Sequence, residues 1–326
     1  MVNYNGGQSF LLAGVEFTYN TPVSPTKDLG IVSSIDVSAS NNIIDVRGIG
    51  NRQSQDLIAG NFDASLSLSG TLNSGAIFEL FFGQATDTLT SSDYKHVFIA
   101  DGTTDVLNTI SSFTLQENYD STSDVTNKWA GCVVNTIDVS VVLNEVVTID
   151  VEILAADEDV ATTAGTKVVT TTSPLSFSQC TLSTGNEGSE STVTQVQDFN
   201  ISFNNNYDLR DIRGIGSRLS QGALPKNLEV TGEFTMKFQN TTEEQRFLGG
   251  TAATSSTPTD TGLIFQATNG VTLGSGRIEF YVRLYGVQYE ELGRTVSNDG
   301  IVETNFSFRA TTIKDVYTVD AVSTYF

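Results

Sequence analysis

The 326-residue chain is long enough for about two domains, each able to bury its own core. Ser, Thr, Val and Ile fall in short alternating runs, and Ala-, Leu- and Lys-rich helical stretches are nearly missing, which indicates a mainly β protein. With 38 acidic against 17 basic side chains the formal charge is −21, so the chain repels nucleic-acid phosphates and is not expected to bind DNA by counterion release.

In chain order, residues 1–10 have neither a basic n-region nor an apolar h-region, and no run approaches 18 apolar residues, so neither a secretory signal nor a membrane span is expected. Residues 9–19 form the first expected strand, followed by a turn-rich stretch over 20–30 with Pro22 and Pro25. Ile35, Val37 and Ala39 then alternate with Asp36, Ser38 and Ser40, which predicts a strand with one buried and one wet face. Residues 45–55, DVRGIGNRQSQ, return at 211–221 as DIRGIGSRLSQ, identical at eight of eleven positions. The offset, 211 − 45 = 166 residues, is close to half the chain and reads as one domain duplicated in tandem. Gly48 and Gly50 suit a sharp bend after a strand, so this stretch is expected to be a long loop between strands.

Phe62, Ala64, Leu66, Leu68, Gly70 and Leu72 keep a period of two, and Leu228, Val230, Phe234 and Phe238 share their phase. Residues 74–83 predict a short helix with Ser74 as N-cap and Gly83 at its end, with residues 241–249 as counterpart. Only Phe81/Phe247 and Phe82/Leu248 are apolar in both, so these should anchor each helix. Where the first has Ile77, Phe78 and Leu80 the second has Glu243, Glu244 and Arg246, so that face is covered in one helix and exposed in the other, or meets different neighbours. Strands over 94–100 and 110–116 are matched by 263–267 and 278–284. The long alternating pair 133–143 and 146–154, turning at Asn144-Glu145, is matched by 285–289 and 301–311 around Ser297-Asn298-Asp299-Gly300. Residues 155–173 lack apolar periodicity and read as a linker, Pro174 leads into the second half, and 193–203 supply the strand before the repeated loop. The expected organisation is a first domain over 1–160 and a homologous second over 161–326.

Residues that could carry chemistry are few. His96 is the sole histidine, which removes a histidine triad or a multi-histidine metal site and leaves a structural or surface role. Cys132 and Cys180 are expected to be reduced structural thiols. The Asp-x-Arg-Gly-Ile-Gly-x-Arg stretch lacks the Lys-Ser/Thr of a P-loop and no helix pattern follows it. No spacing singles out a carboxylate pair for glycoside hydrolysis, and Asp157-Glu158-Asp159 lacks the Gly turn and distal Glu of a calcium loop, so it reads as solvated linker. No catalytic residue, metal site or cofactor is expected. Four of 17 basic residues, Arg47, Arg52, Arg213 and Arg218, lie in the two repeated loops. On an acidic surface they suit bidentate contacts with carboxylates of a neighbouring copy, although Asp45 and Arg47 can also pair locally. Asp45, Arg47, Arg52, Asp211, Arg213 and Arg218 are therefore the candidate interface residues.

Several stretches, in this order, resemble the phage tail tube proteins: the run VQDFNISFNNN at 196–206, the Arg-Gly-Ile-Gly-x-Arg loop, the short helix, and GCVVNTIDVS at 131–140 leading into a β pair. The resemblance spans nearly the whole chain. It implies β-sandwich domains with one flanking helix, whose inner sheets join into a ring-shaped β-barrel, and rings of six domains that stack into a tube conducting the genome. Two such domains per chain imply trimeric, pseudo-hexameric rings. The implied partners are the chain itself, the tail terminator, tape measure and baseplate or distal tail proteins, and double-stranded DNA passing through unbound. The implied location is the virion tail, assembled in the host cytoplasm, with no membrane contact. Asp36, Asp138, Asp150 and Glu152 are candidates for lining the lumen, where negative charge lets DNA slide. Rival expectations are the tube of a contractile injection machine, a two-domain cell-surface or S-layer β-sandwich adhesin, and a carbohydrate-active enzyme.

Overall fold

A computed structural model describes residues 6–83, 85–100, 110–119, 125–160, 163–253, 261–296, 298 and 300–326. The alternation in the sequence becomes strands, in chain order β1 (Phe10–Val15), β2 (Val32–Ser40), β3 (Ile44–Val46), β4 (Asp56–Ile58) and β5 (Asp63–Thr71). After helix α1 (Ala76–Phe82) come β6 (Thr86–Thr90), β7 (Asp93–Ile99), β8 (Phe113–Asn118), β9 (Thr126–Val142), β10 (Thr148–Ala155) and β11 (Asp157–Val160). The C-terminal half holds β12 (Cys180–Gly185), β13 (Ser191–Thr192), β14 (Val196–Asn204), β15 (Glu229–Lys237), helix α2 (Thr242–Leu248), β16 (Thr261–Thr268), β17 (Glu279–Thr295) and β18 (Glu303–Asp320). Every described strand pairing is antiparallel, and one sheet runs in the order β13-β12-β16-β17-β18-β15-β14-β9-β10-β5-β2.

That order joins the two halves of the chain. β14 lies along β9, with Phe199 opposite Val141 and Asn204 opposite Thr136, and β7 lies along the end of β18. Asp93 ties the second junction. Its buried carboxylate accepts backbone N–H groups from Gly274 (2.8 Å), Ser275 (3.1 Å), Gly276 and Arg277 (2.8 Å). Burial alone would raise its pKa, but these donors outweigh that and hold it below the usual carboxylate range. One buried apolar cluster draws on both halves, from Leu66 and Ile137 to Phe234 and Phe306.

α1 is the centre of that cluster. Phe78, Phe81 and Phe82 are fully buried, with ring centroids 4.8 Å (Phe78–Phe280) and 6.0 Å (Phe82–Phe203) from aromatics of the C-terminal half. Gly83, at φ 75°, ends it. The N-cap position belongs to Gly75, one residue beyond the Ser74 expected from sequence, and Ser74 Oγ instead accepts the Ala76 N–H at 3.2 Å. α2 meets different neighbours. Its buried position is Glu243, which accepts from Thr184 Oγ1 (2.9 Å) and Tyr289 OH (2.6 Å) and pairs with Arg246. Phe247 is only half-buried, so a polar network rather than an aromatic anchor seats this helix.

Three other expectations change. The first strand ends at Val15, because Glu16 turns inward to accept from Ser112 Oγ (2.6 Å), Thr114 Oγ1 (2.8 Å) and the Gly131 N–H (3.0 Å). The linker contains a strand: β11 pairs with β9, placing Asp157, Glu158 and Asp159 opposite Ala130, Trp129 and Lys128, so this acidic triplet is not free chain. Residues 279–289 belong to one strand, β17, rather than two. Of the turn expected after it, Ser297 and Asp299 lie outside the described residues.

Certain backbone features occur once in each half. Gly131 and Gly286 have φ of 61° and 60° and sit beside register shifts of β9 and β17. Asn42 and Asn206 have φ of 42° and 52°, and their side-chain amides donate to Asn61 O (3.0 Å) and Asn227 O (2.9 Å). Both pairs suit positions where an L side chain other than Asn is disfavoured.

Candidate assembly surface

The two repeated loops share a local form. Gln55 N donates to Val46 O and Gln221 N to Ile212 O, each at 2.9 Å, and Gly50 and Gly216 bend the tips at φ of 93° and 98°. Ile49 and Ile215 are fully exposed at these tips. The surroundings differ. Residues 45–55 end a two-stranded β3-β4 hairpin outside the main sheet, and Ile43, Ile44, Leu57 and Ile58 are also exposed there. Contiguous exposed apolar side chains on an extended hairpin mark a contact surface.

The second loop is docked on the N-terminal half. Arg213 donates to Asp63 Oδ1 (2.5 Å) and Phe62 O (2.8 Å), Arg218 donates to Gly60 O (2.8 Å) and Asn41 Oδ1 (2.6 Å), and the Phe62 N–H donates back to Arg218 O (3.0 Å). Asp211 instead pairs with Lys226 at 2.7 Å. In the first loop Arg47 Nε lies 2.6 Å from Asp45 Oδ2, and hydrogen bonds from Ser54 and Arg47 lower the Asp45 pKa. With the Arg47 side chain 68% exposed, this local pair stabilises little. Arg52 is exposed. The structure thus brings Arg213 and Arg218 together on residues 60–63 and leaves Arg47 and Arg52 at the surface.

The four acidic strand residues fall on one face of the sheet. Asp36 lies opposite Ser67, Ser67 opposite Glu152 and Glu152 opposite Thr136, while Asp150 lies between Ser69 and Asp138. Across the junction Asp138 faces Ser202 and Thr136 faces Asn204, which faces Glu229. The result is a polar surface running from β2 to β18, with Leu66, Leu68, Ile137, Val139, Ile201 and Phe203 beneath it. Sequence reading missed Glu229 and Glu233 on this face, although their alternation with Val230 and Phe234 carries the same signal. Like charges directly opposite in a sheet are unfavourable. The Asp138/Asp150 pair is eased by a hydrogen bond from Ser69 Oγ to Asp150. Asn135 Nδ2 donates to Glu152 at 2.6 Å.

β2 is the open end of the sheet. Among the described residues only its inner edge is paired, to β5. Sequence alternation predicted one covered face, but Val37 is 43% exposed and Ala39 is exposed, so the described residues leave this end of the strand uncovered. At the opposite side of the C-terminal half, Glu291–Thr295 of β17 pairs with β18, while the pairing of β16 with β17 reaches only Val287, opposite Thr261. The outer edge of 291–295 therefore has no strand beside it among the described residues.

The remaining candidates are held by the fold. His96 is buried, 2.7 Å from Asp87 and 3.3 Å from Asp320, with its ring centroid 4.2 Å from that of Tyr325. Burial pulls its pKa down, but the Asp320 and Asp87 hydrogen bonds outweigh that and keep it above the usual histidine value. Cys132 and Cys180 are free, and burial raises both thiols, Cys180 to about 12. No cluster of three or more His, Cys, Asp or Glu residues suited to a metal occurs among the described residues. No helix is long and apolar enough to cross a membrane among them.

Comparison with known proteins gives one family. The sequence profile described as phage tail tube protein matches residues 6–310. Among solved structures, the tail tube of SPP1, determined by solid-state NMR and cryo-EM, is 13% identical over 44% of this chain and 79% of that one, with a TM-score of 0.32. No curated protein matches.

Proposed function

Since the chain belongs to the phage tail tube protein family and is a structural subunit of the tail, we propose that three copies close into a ring of six tube units, 1–160 and 161–326 from each chain. The observation that carries this is the β14–β9 junction. There, the strand before one repeated loop adds to the other half's sheet, while β2, the strand before the other loop, ends with a bare edge. β2 of one chain then adds to the outer edge of 291–295 in the next as β14 adds to β9. Three such additions cover the outer edge of β2 in every chain, which removes the aggregation hazard of that uncovered strand. A closed ring also needs a heterologous contact, and β2 with 291–295 is one.

Closure places the polar face on the inside. Asp36, Asp138, Asp150, Glu152, Glu229 and Glu233 line a negative lumen that repels phosphates, so double-stranded DNA passes during genome ejection without adhering. Retaining opposed carboxylates on β9 and β10, at a cost to sheet stability, fits a surface kept for its charge. Rings stack into the tube, with the tape measure protein inside, the tail terminator at one end and the distal tail or baseplate proteins at the other. Assembly takes place in the host cytoplasm.

Negative-stain microscopy with native mass spectrometry of the purified chain tests the reading. Hollow tubes or rings of three chains are expected. A monomer under every salt and concentration condition, or rings of six chains, would overturn it.

A further inference from the structure

The docked loop of the C-terminal half is a template for the free one. Its receiving site, residues 60–63, is framed by the amide of Asn42, which bonds Asn61 O. The same frame recurs around 226–229, where Asn206 bonds Asn227 O. Within it Lys226 stands where Gly60 stands, Leu228 where Phe62 stands, and Glu229 where Asp63 stands. Both acids pair with the loop-bearing half in the same sheet position: Glu229 faces Asn204 at the end of β14, and Asp63 faces Ser40 at the end of β2. One loop, with Arg213 and Arg218, is matched to its site within the chain. The other loop, with Arg47 and Arg52, and the other site, with Glu229, are both exposed.

We propose that the 45–55 hairpin docks on the 226–229 site of a second copy of this chain, so that Arg47 exchanges its local partner Asp45 for that copy's Glu229. The inference rests on the ring reading above and adds its lateral lock. In the docked state Arg47 takes the place of Arg213 on the acid and the carbonyl of residue 228. Arg52 takes the place of Arg218 on the carbonyl of residue 226, and the Leu228 N–H donates to Arg52 O. The exchange costs little on either side. The Arg47–Asp45 pair is exposed, and Glu229, 47% exposed, shares Arg309 with Glu290, which keeps that cation when Glu229 turns away. The gain is an ion pair removed from water, with the side chains of Ile44, Leu57 and Ile58 carried toward the neighbour. The same two loops thus hold alternate junctions of the ring, one within each chain and one between chains.

Cysteine pairs test it. In the structure Arg218 and Phe62 are joined by a backbone hydrogen bond, so Arg218→Cys with Phe62→Cys is the control and should close within one chain on mild oxidation. Arg52→Cys with Leu228→Cys should close only between chains, giving species of two and then three chains on non-reducing gels and none beyond three. A charge exchange supplies an independent measurement. Arg47→Glu should raise the protein concentration needed for ring formation roughly tenfold, and adding Glu229→Arg should restore it. Ladders longer than three chains would place the hairpin against the next ring and overturn the proposal. So would rings that form while the Arg52/Leu228 pair stays open and the control closes. In that last case the ring reading stands, whereas a chain that forms no ring by microscopy removes both.

Discussion

Glu79 shows how single residues set the conditions under which this subunit is stable. It lies in α1 with Oε2 buried and lacking a hydrogen-bond partner among the described residues, and burial together with the nearby Asp87 charge raises its pKa to about 7. A carboxyl with a raised folded-state pKa is favourable while protonated, so stability falls as pH rises from the usual Glu value through about 7. His96 works in the same direction. Its pKa is raised by Asp320 and Asp87, so its contribution is full below the ordinary histidine value and is lost as pH climbs through the folded-state one. Thermal unfolding of Glu79→Gln should show a Tm higher than the wild type by roughly 2 °C at pH 8, with the difference vanishing near pH 4. An equal shift at both pH values would mean that packing, not charge, is responsible. None of this was legible from sequence, where His96 reads only as an isolated histidine and nothing marks Glu79 as buried. The His96 shift depends on the return of Asp320 from the far end of the chain.

At the level of elements, β9 and β17 are long strands that each turn at a glycine in the left-handed region. A Cβ at Gly131 would lie 2.8 Å from the Ala156 Cβ, and one at Gly286 would meet the Thr311 side chain. Gly131→Ala and Gly286→Ala should each cost about 1–3 kcal/mol in urea unfolding. A neutral result at either would show that the strand can pass that point without the bend. The strands themselves were readable because alternation of period two survives wherever one face is covered. Their ends were less so: Glu16 stops β1 through side chains 96 and 98 residues away, and β11 pairs a segment whose composition resembles a linker. The second helix was read correctly in position but not in seating, since a buried Glu243 is acceptable only because Thr184, Tyr289 and Arg246 converge on it.

For the whole molecule, the consequence of the polar face is a test of where it points. Assembled tubes of the wild type should retain no double-stranded DNA. Tubes carrying Asp138→Lys with Asp150→Lys should retain it at low salt, in a form shielded from nuclease, and release it as salt rises. Retained DNA that remains open to nuclease would put this face on the outside. The sequence by itself determined the β class, the repeated loop and its arginines, the alternation that sets four acids apart from the core, and the family. These are properties of local pattern and of order along the chain. Only the tertiary structure decided that β14 closes onto β9, that Arg213 and Arg218 are already engaged with the other half while Arg47 and Arg52 stay at the surface, and that β2 ends the sheet. The two loops are nearly identical in sequence, so no local rule separates them. Their difference is fixed by which half of the chain happens to lie beside each, a non-local pairing that one chain satisfies at one junction and leaves open at the other.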